Sequence, residues 1–122
     1  MPRFVLLEHQ WNGVHYDFML EMGDVLKTWA IDAPVLPDIA LPARALPDHR
    51  PIYLEYEGVV SGNRGTVRRI DAGVYTALSW QDGCVRVRLA GCQLVGDVEI
   101  CQAPGLESEA RGSWIFRLGK VD

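Results

Sequence analysis

The sequence predicts an all-β fold: a small closed or partly open antiparallel β-barrel of about eight strands with a proline-rich connecting loop. Three observations carry that prediction. Short segments alternate apolar and polar residues with the period of a strand, as in CVRVRL, where Val85, Val87 and Leu89 share one face and Arg86 and Arg88 the other. Turn residues such as Asn12-Gly13, Gly23-Asp24 and Asp82-Gly83 separate these segments at close spacing. No stretch keeps a helical period for more than about two turns.

Taken in order, RFVLLEH forms a first strand, and QWNG turns it into the alternating VHYDFMLEM. The second turn at Gly23-Asp24 leads to VLKTWAI, completing a three-stranded meander with short loops. DAPVLPDIALPARALPDHRP holds five of the seven prolines and reads as an irregular connection, with one short edge strand around Ala43 to Leu46. Proline cannot donate to a sheet ladder, which is why a longer strand is not expected there. IYLEYEG, GTVRRID, GVYTALSW, CVRVRLAG, QLVGDVEICQ and SWIFRLG supply the remaining strands.

A chain of 122 residues with 48% hydrophobic content reads as one domain over residues 1–122, large enough for a real core. The N-terminus does not resemble a signal peptide, and no apolar run approaches the roughly 20 residues of a membrane span, so a soluble cytoplasmic protein is expected. Cys84, Cys92 and Cys101 are odd in number and lack a CxxC spacing. They are expected to be reduced and half-buried in strands rather than part of a disulfide framework or zinc knuckle. The net charge of −4 argues against broad, non-specific nucleic-acid binding. Arg64, Arg68, Arg69, Arg86 and Arg88 are dense enough to line one local basic groove, or else form a solvated sheet face. An acidic surface with short edge strands is compatible with a monomer.

The stretch HQWNGVHYDFMLE concentrates the chemistry. Residues two apart on a strand point the same way, so His15 and Asp17 share a face, and the Asn12-Gly13 turn can bring His9 beside them. Two imidazoles and a carboxylate converging from a rigid hairpin suit a divalent transition metal such as Mn, Fe, Zn or Co. The alternative is a partly exposed histidine pair without a metal. Met19 interrupts this polar face, while Tyr16, Phe18 and Leu20 occupy the opposite parity as core anchors. His49, in the proline-held PDHRPIY, is a candidate general acid, transition-state stabiliser, further ligand, or ordinary loop histidine.

The combination HQWNGVHYDFMLE, VLKTWAI and DHRPIYLEYEG resembles the 3′-phosphoesterase module of bacterial DNA ligase D and its stand-alone relatives. The matching positions are His9, His15, Tyr16, Asp17, Leu20 and Glu21, then Leu26, Lys27, Trp29 and Ala30. Asp48, His49, Tyr53, Glu57 and Gly58 continue the match, and GTVRRIDAGVY and SWIFRLGK resemble the family's later segments. The resemblance implies a compact barrel that trims DNA 3′ ends in a manganese-dependent reaction, removing a 3′-ribonucleoside and then a 3′-phosphate. It implies that His9, His15 and Asp17 hold the metal and that His49 and Tyr53 contact the scissile phosphate. DNA 3′ ends are then the expected partner, with ligase or polymerase activity on separate chains.

The sequence departs from the family pattern at four places. Met19 stands where the family has a phosphate-binding arginine, and methionine offers neither charge nor a donor. Arg50 replaces a proline, SGNRG shortens a glycine-rich connection, and Glu8 replaces a histidine. Arg50, Arg64 and Arg69 are candidates to bring the missing charge to a phosphate. A degenerate relative that binds a metal, a DNA end or a protein without efficient turnover is the second reading. His15-x-Asp17 with a distal His49 also matches the iron ligands of 2-oxoglutarate-dependent oxygenases, but that fold needs a longer chain and leaves no role for His9.

Overall fold

The computed structural model describes residues 1–103 and 114–119. Nine antiparallel strands are found among them, in one sheet of order β1-β2-β3-β4-β9-β8-β7-β6-β5. An additional β1–β6 pairing closes eight of them into a ring and leaves β5 appended to β6. The all-β expectation therefore holds, with no α-helix among the described residues.

The meander forms as expected: β1 (Arg3–Gln10), β2 (Val14–Met22) and β3 (Val25–Ile31). Asn12 (φ 55°), Gly13 (φ 111°) and Gly23 (φ 63°) take the positive φ angles that tight turns demand. Beyond the meander two expectations need correction. β4 runs over Ala40–His49, ten residues rather than a short edge strand, and it lies inside the ring between β3 and β9. The prolines survive there because of where they sit. Pro42 lies past the last β3 pairing, Ile31↔Ala43, and Pro47 falls in a bulge where β4 gains a residue against β3. IYLEYEG is not a strand either: Pro51–Leu54 form a 3₁₀ turn, and only Gly58–Val59 pair as β5.

GTVRRID and GVYTALSW merge into one 16-residue strand, β6 (Thr66–Gln81). Its first half pairs with β1 and its second with β7 (Cys84–Gly91), so β6 turns the corner of the ring. Gly73 sits at the handover, where a Cβ would lie 2.2 Å from the Ala90 carbonyl oxygen. Asp71, 4% exposed, accepts backbone N–H bonds from Cys92, Gln93 and Leu94, which pins the loop before β8 (Val95–Gln102). β9 (Trp114–Leu118) completes the ring.

Alternation divides the side chains into two populations. Phe4, Leu6, Phe18, Leu20, Ile31 and Phe116 point into the ring and form its core, with the Phe18 and Phe116 rings edge-on at 5.1 Å. Val5, Leu7, Met19 and Leu26 point outward and are buried in a second cluster by Leu54 and Val60 of the 50–65 segment. On β7 the alternation is as read: Val85, Val87 and Leu89 are buried, while Arg86 and Arg88 pair outside with Glu99 and Asp97.

The cysteines differ from expectation. Cys84 and Cys101 are direct cross-strand partners on β7 and β8 with Cα atoms 4.0 Å apart, and their sulfurs are joined in a disulfide. Cys92 is the free cysteine, exposed on the loop after β7 rather than half-buried in a strand. Spacing along the chain carries no information about strand register, so the pairing was invisible in sequence.

Candidate metal centre

His9, His15 and Asp17 converge on the outer face of the β1–β2 hairpin. His9 and His15 are direct cross-strand partners, and Asp17 follows two residues on. His9 Nδ1 and His15 Nε2 lie 3.2 Å apart, His9 Nδ1 and Asp17 Oδ2 3.5 Å, and His15 Nε2 and Asp17 Oδ1 3.1 Å. Donors bound at about 2.0–2.2 Å to a shared ion in tetrahedral or octahedral geometry stand about 3.0–3.5 Å apart. The two nitrogens stand at that separation from each other, each also has one of the two Asp17 oxygens at that separation, and one ligand atom from each of the three residues lies within 4.8 Å of the others.

Asp17 is 2% exposed, and its Oδ1 has no hydrogen-bond partner. His15 Nε2 is close to it but is engaged with His9 Nδ1. A buried carboxylate oxygen left unpaired costs free energy, and a cation shared with the two imidazoles would offset that cost. The residues present therefore fit a divalent metal.

His9 is oriented from behind. Its Nε2 lies 2.7 Å from the Arg64 carbonyl oxygen, which only accepts, so Nε2 carries the proton and Nδ1 presents its lone pair to the centre. The Arg64 carbonyl reaches His9 because the 61–65 turn lies against the end of β1. Gly65 (φ 77°) makes that approach, since a Cβ there would sit 1.8 Å from the Gln10 carbonyl oxygen.

The centre opens into a cleft of about 510 Å³ between the hairpin and the 44–64 region. His49 and Tyr53 line the opposite wall with rings 5.8 Å apart, near-perpendicular at 70°. The Pro47 bulge aims His49. Arg44 and Leu46 face outward, so unbroken alternation would turn His49 inward; the extra residue instead sets it opposite Leu26 on the outer face. His49 Nδ1 donates to the Pro47 carbonyl at 2.9 Å, leaving Nε2 free of that bond. The 3₁₀ turn then places Tyr53 one step further along.

Of the three arginines expected at a phosphate, Arg50 and Arg64 line the cleft. Arg69 is not among the lining residues, although it stands opposite Leu7 on the same outer face, and its backbone N–H is bound by the Glu57 carboxylate at 2.7 Å. Arg68, Arg86 and Arg88 are paired with Glu8, Glu99 and Asp97, so they form a solvated, ion-paired surface rather than one groove. Met19 is buried on the cleft floor within the second apolar cluster.

Among the lining residues that the sequence reading did not single out, two carry groups able to meet a ligand. Trp11, 44% exposed in the hairpin turn, stacks on His9 with ring centroids 6.0 Å apart. An exposed tryptophan next to a pair of candidate metal ligands was the available signal. Arg44 joins the cleft from β4, and only strand register could have found it.

Comparison with known proteins identifies the family. The family model described as the DNA Ligase D 3′-phosphoesterase domain matches residues 7–102. The chain is 32% identical over 111 residues to the Multifunctional non-homologous end joining DNA repair protein LigD of Mycobacterium tuberculosis, covering 84% of this chain and 15% of that protein. The Mycobacterium bovis LigD matches over the same extent, and the Pseudomonas aeruginosa LigD is 33% identical over 81 residues, covering 62% of this chain and 10% of its own length. The chain thus spans a small fraction of these multifunctional relatives. The match to that family model over residues 7–102, most of the chain, leads to a single conclusion: this chain belongs to the DNA ligase D 3′-phosphoesterase domain family.

Proposed function

We propose that the chain is a manganese-dependent phosphoesterase that clears 3′-phosphate or 3′-ribonucleotide ends of DNA. The observation that carries the reading is the buried Asp17, with an unpartnered oxygen, set at ligand spacing from His9 and His15. A divalent ion bound there would polarise a phosphoryl oxygen and lower the pKa of a bound water.

The remaining tasks fall to the chain's own residues. His9, His15 and Asp17 hold the ion, and the Arg64 carbonyl keeps His9 in its ligating tautomer. His49 in its imidazolium form, its Nδ1–H held by the Pro47 carbonyl, donates a proton from Nε2 to the leaving oxygen, and Tyr53 donates its hydroxyl to a phosphoryl oxygen. Arg50 and Arg64 hold positive charge at the cleft for the phosphate. Trp11 presents a ring on which a terminal base can stack, which favours a nucleic-acid end over a small phosphoester. The protein acts in the cytoplasm as a monomer and leaves a 3′-hydroxyl end that a ligase or polymerase can use.

Met19 favours a second reading, in which the centre binds metal and a DNA end with little turnover, because the cleft floor carries a thioether there. One experiment separates the two. The purified protein is incubated with Mn²⁺ and a primer–template ending in a 3′-phosphate or a single 3′-ribonucleotide, alongside metal analysis. Release of phosphate or nucleoside supports the enzyme. Bound metal without product supports the second reading, and no bound metal rejects both.

A further inference from the structure

We infer that Arg44 is a phosphate-binding residue of this cleft, supplying from β4 the guanidinium clamp that Met19 does not supply from β2. This rests on the proposed function. Three observations carry it.

The first is register. Leu7, Asp17, Ala30 and Arg44 stand opposite one another on β1, β2, β3 and β4, so all four side chains leave the same outer face of the sheet. Arg44 is two strands from Asp17, a backbone separation of about 10 Å at ordinary strand spacing. The residue between them is Ala30, fully buried, whose methyl group leaves the path over β3 open. An arginine reaching along this row enters the space beside the metal ligands, and Arg44 lines the cleft.

The second is partnership. Arg3, Arg68, Arg86, Arg88 and Arg117 are each ion-paired with a carboxylate, and Arg64 is tied to Ser61. The Arg44 guanidinium has no ion pair or hydrogen bond among the described residues, and the nearby Asp48 is engaged with Lys27 at 3.2 Å. An unpaired, forked cation facing a cleft can meet two oxygens of a phosphate at once.

The third is support. Arg50 follows the last residue of β4 and Arg64 lies in a turn, whereas Arg44 lies within β4, paired with Ala30 of β3 and next to Ala43, which pairs with both β3 and β9. Groups on such elements hold position more closely than groups on loops. Met19 is packed among Leu7, Leu26, Leu54 and Val60, so its position serves the apolar floor.

The test uses wild-type protein, R44A, R44K and, as a control remote from the cleft, R86A. Each is loaded with Mn²⁺ and assayed on a primer–template with a 3′-phosphate. Binding is compared between 3′-phosphate and 3′-hydroxyl ends. We expect R44A to lower kcat/KM by about 10²-fold and to lose the preference for the phosphate end. Its Mn²⁺ stoichiometry and thermal midpoint should match R86A. R44K, with charge but no fork, should fall between. R44A within twofold of wild type in both assays overturns the role of Arg44 alone, and R44K equal to wild type overturns the fork. Wild-type protein that neither turns over the substrate nor prefers the phosphate end overturns the proposed function, and this inference with it.

Discussion

The two faces of the β1–β2–β3 meander use alternate residues of the same strands, yet they do opposite work. On the inner face, Phe4, Leu6, Phe18, Leu20 and Ile31 meet other apolar side chains from across the ring. On the outer face, Val5, Leu7, Met19 and Leu26 make a small apolar floor beside His9, His15 and Asp17. The inner face is closed by the ring itself. Among the described residues, the outer face is closed where the 50–65 segment lies over it, and the cleft is what that cover leaves open. A fold that buries one face completely can therefore place costly polar groups on the other.

The largest effect should come from breaking the outer face at its centre. Asp17→Ala is expected to abolish Mn²⁺ binding and turnover while leaving thermal stability unchanged or raised, because a buried, incompletely paired carboxylate is removed. Isothermal titration with Mn²⁺ and a melting curve check both halves. Retained stoichiometry would mean that the triad is not the site.

The converse change on the next residue should reverse the pattern. Phe18→Ala removes a fully buried ring that packs on Phe4 and Phe116, at a cost of about 3–5 kcal/mol. Denaturant unfolding should show that loss, and the fraction still folded should bind Mn²⁺. A similar stability loss for Asp17→Ala would erase the distinction between the faces.

The smallest effect belongs to the uncovered outer surface of β7 and β8, which is held by ion pairs. The Arg88 guanidinium, hydrogen-bonded to Asp97 at 2.8 Å, lowers the carboxyl pKa of Asp97 below its ordinary value. A lowered folded pKa contributes stability above the unfolded pKa, and that contribution is lost as pH falls through the folded value. The melting temperatures of wild type and D97N should thus differ slightly at neutral pH and converge below about pH 4. Both groups are solvent-exposed, so the shift is small. A difference that persists in acid would assign the effect to packing instead.

Some of this was legible in the chain and some was not. His9, His15 and Asp17 could be placed together because the Asn12-Gly13 turn and strict alternation are both local signals. The strand character of β4 was hidden by Pro42 and Pro47, whose tolerance depends on a bulge and on where β3 ends. Tyr53 was found by pattern, but IYLEYEG was misread because the proline at the start of a 3₁₀ turn was outweighed by alternation. Arg69, a candidate from its charge, stands opposite Leu7 on the outer face without lining the cleft, a difference that only the packing around it decides.

By itself, the sequence determined the strand periodicity, the meander and the hairpin that brings His9, His15 and Asp17 together, since each depends on contacts among residues a few positions apart. The tertiary structure alone decided the ring closure through β1 and β6, the Cys84–Cys101 disulfide, the turning of His49 toward the cleft, and the row that brings Arg44 toward Asp17. All four depend on register between strands distant in the chain or on a one-residue bulge. A shift of one residue reverses which face a side chain occupies, and neither composition nor spacing records that shift.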